Sequence, residues 1–396
     1  MRILMVTPYL PFPPVSGGQT RSYHLIKRLA KRHSITLYCY YRKESEREYV
    51  QYLKPYVTEV HMIKRRAVLH PLHFLLSFFT SMPFLLVSTY YSPTLKKLIA
   101  HELATNKYDL IHCETFYVSP NVPETHLPII LVEQTVEYHV YEHFVRKLPS
   151  FLRFNLRFEL LKLLNWEKRT WQRANRIVTV SAEDASAVTD LDPRQKNKLD
   201  VVPNGTAVED FHIKRIPFKA KHPVICYVGN FKWLQNKEAL WYLLNKIYPI
   251  LVQDIPNAKF VVAGKHIPKD AIRHYTKVEF FESVQYIQEI YNKADILIAP
   301  LFGPGGTRLK ILESMASGVL VATTNVGAMG LNLVDMKDVL LFENPQQLRK
   351  KLNDVIAHPA LMRNIVDAAF KKVSSEFDWN AIVRKLEKNY EIALKS

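Results

Sequence analysis

The residues best suited to chemistry lie in one run, Ile298–Gly318: I-A-P-L-F-G-P-G-G-T-R-L-K-I-L-E-S-M-A-S-G. Its apolar start reads as a buried strand that ends at Pro300. Gly303, Gly305 and Gly306 follow in a loop, and a helix is expected to open at Thr307. Glycines let a backbone come close to a ligand, and the free N–H groups at a helix start favour an anion. Arg308 and Lys310 add positive charge beside them. The combination suits a diphosphate held by backbone amides and two cations. It is not a Walker loop, because no Gly-Lys-Ser/Thr ending follows the glycines. Glu313, further into the helix, is placed to accept hydrogen bonds from a ribose diol. A plainer reading stands beside this one: a surface loop followed by a surface glutamate.

Such a loop needs a sheet to carry it, and the chain supplies two. Short apolar runs alternate with amphipathic stretches from end to end, which argues for α/β folding with parallel, doubly wound sheets. The first half predicts strands at Arg2–Thr7, Ser34–Tyr40, Thr58–Ile63, Asp109–Cys113, Ile129–Glu133, Arg176–Val180 and Leu199–Pro203. Helices are expected at Thr20–Lys31, Pro93–Thr105 and Phe151–Arg173, and after Ser181, where Asp184 completes a capping pattern. The second half predicts strands at Val224–Val228, Lys259–Ala263, Val278–Phe281, Ile296–Pro300 and Val319–Thr323. Its helices are expected at Lys237–Val252, Ile287–Asn292, Thr307–Ala316, Pro345–Ala357 and Ala360–Phe377. A polar, proline-containing stretch, Pro203–Pro223, separates the two series. The expectation is two Rossmann-like domains, 1–205 and 206–377, with ligands in strand-to-helix loops at the carboxyl ends of the strands.

The order of these motifs resembles glycosyltransferase family 4 (group 1), retaining enzymes of the GT-B fold. Gly305–Gly318, with Glu313, Met315, Ala316 and Gly318, is similar to that family's nucleotide-sugar loop. Further matches are I-A-P-L (Ile298–Leu301), V-V-P-N-G (Val201–Gly205), D-L-I-H (Asp109–His112), N-R-I-V-T-V-S-A-E-D (Asn175–Asp184), Y-V-G-N-F (Tyr227–Phe231) and the opening strand with its glycine loop. The resemblance spans nearly the whole chain. It implies two domains facing a central cleft, nucleotide-sugar in the second and acceptor in the first. A last helix (Trp379–Leu394, within 378–396) would pack back on the first domain.

The chain departs from the family where two glutamates usually stand eight positions apart. Glu313 is the second, and Gly305 occupies the place of the first. Amides of Gly306, Thr307 and Arg308 then carry more of the donor, with Lys310 as compensating charge. The usual Arg and Lys after the first strand of the second domain are missing. Asn230 follows Gly229 there, with Lys232 and Lys237 nearby, ranked below Lys310. Some branches share a Trp and an Asn at the positions of Trp233 and Asn236.

The resemblance also gives roles in the first half. Gly17 and Gly18, in Ser16-Gly17-Gly18-Gln19, would face the donor phosphate or the acceptor, with Arg21 and His24 on the helix behind. The alternative is an ordinary helix entry. His112, followed by Glu114, would bond the donor sugar near its reacting carbon; the alternative is a satisfied core histidine. Glu133 and Glu137 would orient the acceptor hydroxyl, or serve as helix-start charges. Catalysis by Lys310, His112 and Glu313 would rest on positioning and on charge at the departing diphosphate, with no metal and no bound cofactor beyond the UDP- or GDP-sugar itself. Asp190-Leu191-Asp192 reads as a helix-ending turn before Pro193 and not as a metal pair.

Charge narrows the partners. The 396 residues carry a net charge of +17, which attracts polyanions: nucleic acid, anionic lipid or phosphorylated substrates. No zinc-finger spacing or RNP-type signature is present, so nucleic acid is not expected. Lys64-Arg65-Arg66 leads into the apolar segment Val68–Tyr91, and Phe151–Arg173 mixes aromatics with six cations. Both suit an anionic membrane surface, or else are helices packed on the first domain with solvated basic faces. Prolines and polar residues interrupt the apolar segment, so it does not read as a membrane span. Cys39, Cys113 and Cys226 lie apart in apolar runs and read as buried thiols. With no signal peptide in view, the expected location is cytoplasmic, with peripheral contact at the inner membrane face. The acceptor is then a glycan or a lipid-linked glycan of the cell envelope. Two rivals fit less. A Rossmann dehydrogenase or epimerase wants G-x-G-x-x-G after its first strand, which Ser16-Gly17-Gly18 does not supply. A non-catalytic binder of polyanions or nucleic acid explains the charge but not the ordered motifs.

Overall fold

Arg2–Thr7 (β1) is the sequence's first buried run, and the chain's first sheet grows from it. Ser34–Tyr41 (β2), Glu59–Lys64 (β3), Leu110–Glu114 (β4), Ile129–Glu133 (β5), Arg176–Thr179 (β6) and Leu199–Val201 (β7) join it, all parallel, in the order β3-β2-β1-β4-β5-β6-β7. The central strands β4 and β5 are buried along their whole length and mostly apolar, as strands covered on both faces are. Four helices matter below: Gly17–Leu29 (α1), Pro71–Phe79 (α2), Glu137–Arg146 (α3) and Ser150–Arg173 (α4). The computed structural model describes all residues except 68, 69, 85, 147, 212–221, 304–307 and 396, and leaves the side chains of 151, 152, 154 and 155 undescribed.

The second sheet repeats the plan. Val224–Asn230 (β8), Lys259–Lys265 (β9), Val278–Glu282 (β10), Ile296–Ala299 (β11), Leu320–Thr323 (β12) and Leu340–Leu341 (β13) lie parallel in the order β10-β9-β8-β11-β12-β13. Leu234–Tyr242 (α5) follows β8, and Leu309–Ala316 (α6) follows β11. Each sheet has its own core. Leu4, Val6, Tyr38, Ile111, Leu131 and Trp171 pack in one; Tyr227, Val262, Leu297, Ile311, Met315 and Val321 pack in the other.

The chain divides into two compact units, Met1–Pro203 with Ile382–Ser396, and Asn204–Ala381. The helix Trp379–Ala393 brings Ile382, Leu386 and Tyr390 into the first unit, all three buried. Asn389 fastens it there, donating to Asp200 Oδ2 at 2.8 Å and accepting from Arg176 Nε at 3.1 Å.

Local differences from the expected elements have local causes. The first helix begins at Gly17, three residues early, because the Ser16 hydroxyl accepts from the Gln19 N–H at 3.4 Å. The single helix expected over Lys237–Val252 is interrupted by a π turn at Leu243–Ile247. Pro249 lacks the N–H that a continuous helix would use, and the wider turn absorbs it. The apolar segment after residue 70 forms α2 and a short turn of helix at Val87–Tyr90. No helix among the described residues is long and apolar enough to cross a membrane. Asp190-Leu191-Asp192 ends the Ala182–Leu191 helix, and Arg194 Nε donates to the Asp192 carboxylate at 2.7 Å.

Candidate functional site

In an open α/β sheet, ligands settle where the strand order reverses. In the second unit that point lies between β8 and β11, since β9 and β10 continue to one side and β12 and β13 to the other. Gly229 and Asn230 end β8, and α6 carries Lys310 and Glu313 in from beyond β11. A Cβ on Gly229 would meet Asn236 Cγ at 3.3 Å and Lys310 Nζ at 3.4 Å. Gly264, ending β9, has φ +144° and lies so close that a Cβ would sit 1.8 Å from the Gly229 carbonyl oxygen. Glycine is required there for both reasons.

Lys310 is the centre of this corner. Its Nζ donates to Asn236 Oδ1 at 2.8 Å and to the Tyr227 hydroxyl at 3.3 Å, and lies 4.5 Å from the centre of the Tyr227 ring. Asn236 is itself held by donating Nδ2–H to the Asn230 carbonyl at 2.9 Å. Burial pushes the Lys310 ammonium down to about 7; Glu313 opposes that shift and Arg308 adds to it. Glu313 accepts from the Tyr291 hydroxyl at 3.2 Å, and burial pushes its carboxyl up to about 7 against the pull of Tyr291 and Lys310. Arg308, immediately before α6, donates to the Val326 carbonyl at 2.9 Å. Gly305, Gly306 and Thr307 lie outside the described residues. Lys232 and Lys237 are exposed, and only the Lys232 backbone takes part, donating to Asn230 Oδ1 at 3.1 Å.

The first unit reverses its strand order between β1 and β4. Ser16, Gly17 and Gly18 open α1 after β1, and His112 and Glu114 lie at the end of β4. A Cβ on Gly18 would come within 2.3 Å of the Tyr9 hydroxyl and 2.9 Å of Gln134 Oε1. Its bareness lets those two side chains meet, with Gln134 Nε2 donating to Tyr9 at 3.1 Å and to Glu114 Oε2 at 2.8 Å. Glu114 is wholly buried. Burial alone would favour its neutral form, but His112, Arg21 and Gln134 outweigh it and hold the carboxyl below its ordinary range. His112 is also wholly buried, with Nε2 3.0 Å from Glu114 Oε1 and Nδ1 2.7 Å from the Tyr390 hydroxyl.

The structure therefore places three expected ligand-binding side chains inside the first unit, away from any surface. Arg21 donates through NH1 to the carbonyls of Val202 and Pro203, each at 3.0 Å, and its Nε lies 3.8 Å from Glu114. His112 spends both ring nitrogens internally. Glu133 accepts from the Trp171 indole at 2.8 Å, and burial drives its carboxyl well above the ordinary range. Glu137 is half-buried and pushed up to about 7 by burial. Tyr227, Asn236, Tyr291, Tyr9 and Gln134 complete the two corners without having been singled out as site residues from the sequence. For Asn236, Tyr227 and Tyr9 the signal was membership of a motif; for Tyr291 and Gln134 only the fold brings them together.

Parallel sheets of seven and six strands, each gathering polar groups at the carboxyl ends of its strands, are the architecture of a GT-B glycosyltransferase. The Glycosyltransferase Family 4 model matches residues 15–210 and the Glycosyl transferases group 1 model residues 222–358. The chain belongs to this family and is a glycosyltransferase. A 44.6 kDa protein of the cps region of Klebsiella pneumoniae is 20% identical over 395 residues, 95% of this chain and 96% of that protein. Among solved structures, Anabaena Alr3699/HepE in complex with UDP is 16% identical, covers 99% of this chain and 100% of its own, and has a TM-score of 0.69. A glycosyltransferase from Rickettsia africae is 17% identical over 100% of this chain and 99% of its own, with a TM-score of 0.66.

Proposed function

We propose that the protein is a retaining, metal-independent hexosyltransferase. It moves a sugar from a UDP- or GDP-sugar to a glycan or lipid-linked acceptor, in the synthesis of a cell-envelope polysaccharide or glycoconjugate at the inner membrane face. The observation that carries the reading is Lys310 Nζ beside Gly229, at the switch point of the second sheet, held by a neutral amide and a hydroxyl. A diphosphate in that corner would meet a cation no carboxylate has already claimed among the described residues. Lys310 and Arg308 would then balance the charge of the departing diphosphate, the task a divalent ion performs elsewhere. Glu313 would hold the ribose. The acceptor would attack the face from which the diphosphate leaves, so no protein nucleophile is needed.

Relatives support the substrate class. Alr3699/HepE was solved with UDP and glucose and with UDP-glucose, and WaaG is a glycosyltransferase of lipopolysaccharide biosynthesis. The Klebsiella relative belongs to a cps region. The test is a donor panel with EDTA present, scored by nucleoside diphosphate release and by NMR of the new anomeric centre. Turnover in EDTA with the donor's anomeric configuration kept is expected. An inverted product overturns retention, and activity abolished by EDTA overturns metal independence.

A further inference from the structure

Helix α2, P-L-H-F-L-L-S-F-F, is apolar on nearly every side, and such a helix normally lies in a core. Here its polarity is reversed. The side chains it buries are His73 and Ser77, while Phe74, Leu75, Phe78 and Phe79 are 51%, 54%, 82% and 76% exposed. Polar bonds to α4 hold it that way. Ser77 Oγ donates to Glu159 at 3.0 Å, Lys162 Nζ donates to the Ser77 carbonyl at 2.6 Å, and the Trp166 indole donates to the Ser81 carbonyl at 2.7 Å. The α4 helix extends the apolar surface with Phe158 and Leu161, exposed by 61% and 55%. A monomer rarely leaves so many large apolar side chains together in water.

The charge beside this surface is of one sign. Arg153, Arg157 and Arg169 of α4 are exposed. The two carboxylates of α4 are occupied within the unit: Glu159 holds Ser77, Lys162 and the Phe84 N–H, and Glu167 is buried on the N–H groups of Glu137 and Tyr138.

We infer that α2 and the adjoining face of α4 dock on an anionic bilayer, with Phe78 and Phe79 entering the acyl boundary and the arginines on the headgroups. Exposed aromatics flanked by exposed arginines match that boundary, where apolar and anionic layers lie one above the other. The inference rests on the membrane-side acceptor proposed above and names the face that meets the membrane.

The test is co-sedimentation of the full chain with phosphatidylcholine vesicles, with and without phosphatidylglycerol, for the wild type and Phe78→Ser/Phe79→Ser. Both substitutions fall on exposed residues, and unchanged thermal unfolding checks the fold. The wild type is expected to sediment with anionic vesicles and to be released by salt. The variant is expected to lose this binding by on the order of tenfold or more. If the wild type ignores anionic vesicles, the membrane reading itself falls. If wild type and variant bind alike, only the assignment of this face falls. A wild type that dimerises through these residues and ignores vesicles makes a second copy the occupant and overturns the proposal.

Discussion

Lys310 Nζ lies 2.8 Å from the side-chain oxygen of Asn236. That contact joins α6 to the start of α5 across the end of β8, and sets a cation in a corner whose partners are neutral. A group so placed is short of negative charge, and a diphosphate supplies it.

Donor binding should take up a proton. Burial holds the Lys310 ammonium near 7, whereas an ordinary lysine titrates near 10.4. A bound diphosphate favours the protonated form, so affinity should fall as pH rises above about 7, by at most about tenfold per unit. Calorimetry of UDP binding near pH 8, in buffers of different ionisation enthalpy, should show proton uptake that disappears in Lys310→Met. In the ligand-free protein the sign follows from the depressed value. The unfolded chain holds more protons between about 7 and about 10, so this group's destabilisation is complete below 7 and fades as pH rises through that window. Glu313, raised to about 7, does the reverse, and its destabilisation grows from about 4 to 7.

Gly264→Ala should damage the second unit. With φ +144° and a clash 1.8 Å from the Gly229 carbonyl oxygen, the new methyl must push β9 and β8 apart. A loss of about 2 kcal/mol or more is expected in urea unfolding, together with nucleotide binding, because Gly229 borders Lys310.

Arg21→Met should destabilise the first unit by about 3–5 kcal/mol, since Glu114 stays buried without its cation. Adding Glu114→Gln should recover part of that loss. Chemical denaturation of both variants checks it; a double variant no more stable than the single would show that Arg21 acts through the Val202 and Pro203 carbonyls instead.

Strand-rich runs were legible in the sequence because parallel strands covered on both faces are largely apolar, as Ile129–Val132 is before Glu133 ends the strand. The cap at Ser181 was legible too, since its hydroxyl meets the Asp184 N–H at 3.0 Å as the spacing requires. Side-chain direction was harder. His112 and Glu133 occupy strand ends, where ligands gather, yet both turn inward toward Tyr390 and Trp171, which lie far along the chain. The same limit hid Asn236 and Tyr227 as partners of Lys310, because nothing in local spacing links β8 and α5 to α6. The reversed polarity of α2 was hidden for another reason: apolar composition reports what a helix contains, and not which side the rest of the unit covers.

The claim beneath the whole account is that Lys310 receives a nucleoside diphosphate. Equilibrium binding of UDP and GDP to wild type and to Lys310→Ala tests it most directly. The wild type should bind one of them, and Lys310→Ala should bind it about tenfold to a hundredfold more weakly, the worth of one charge-assisted contact, while unfolding at the same temperature or slightly higher. Equal affinity in the two proteins would contradict it.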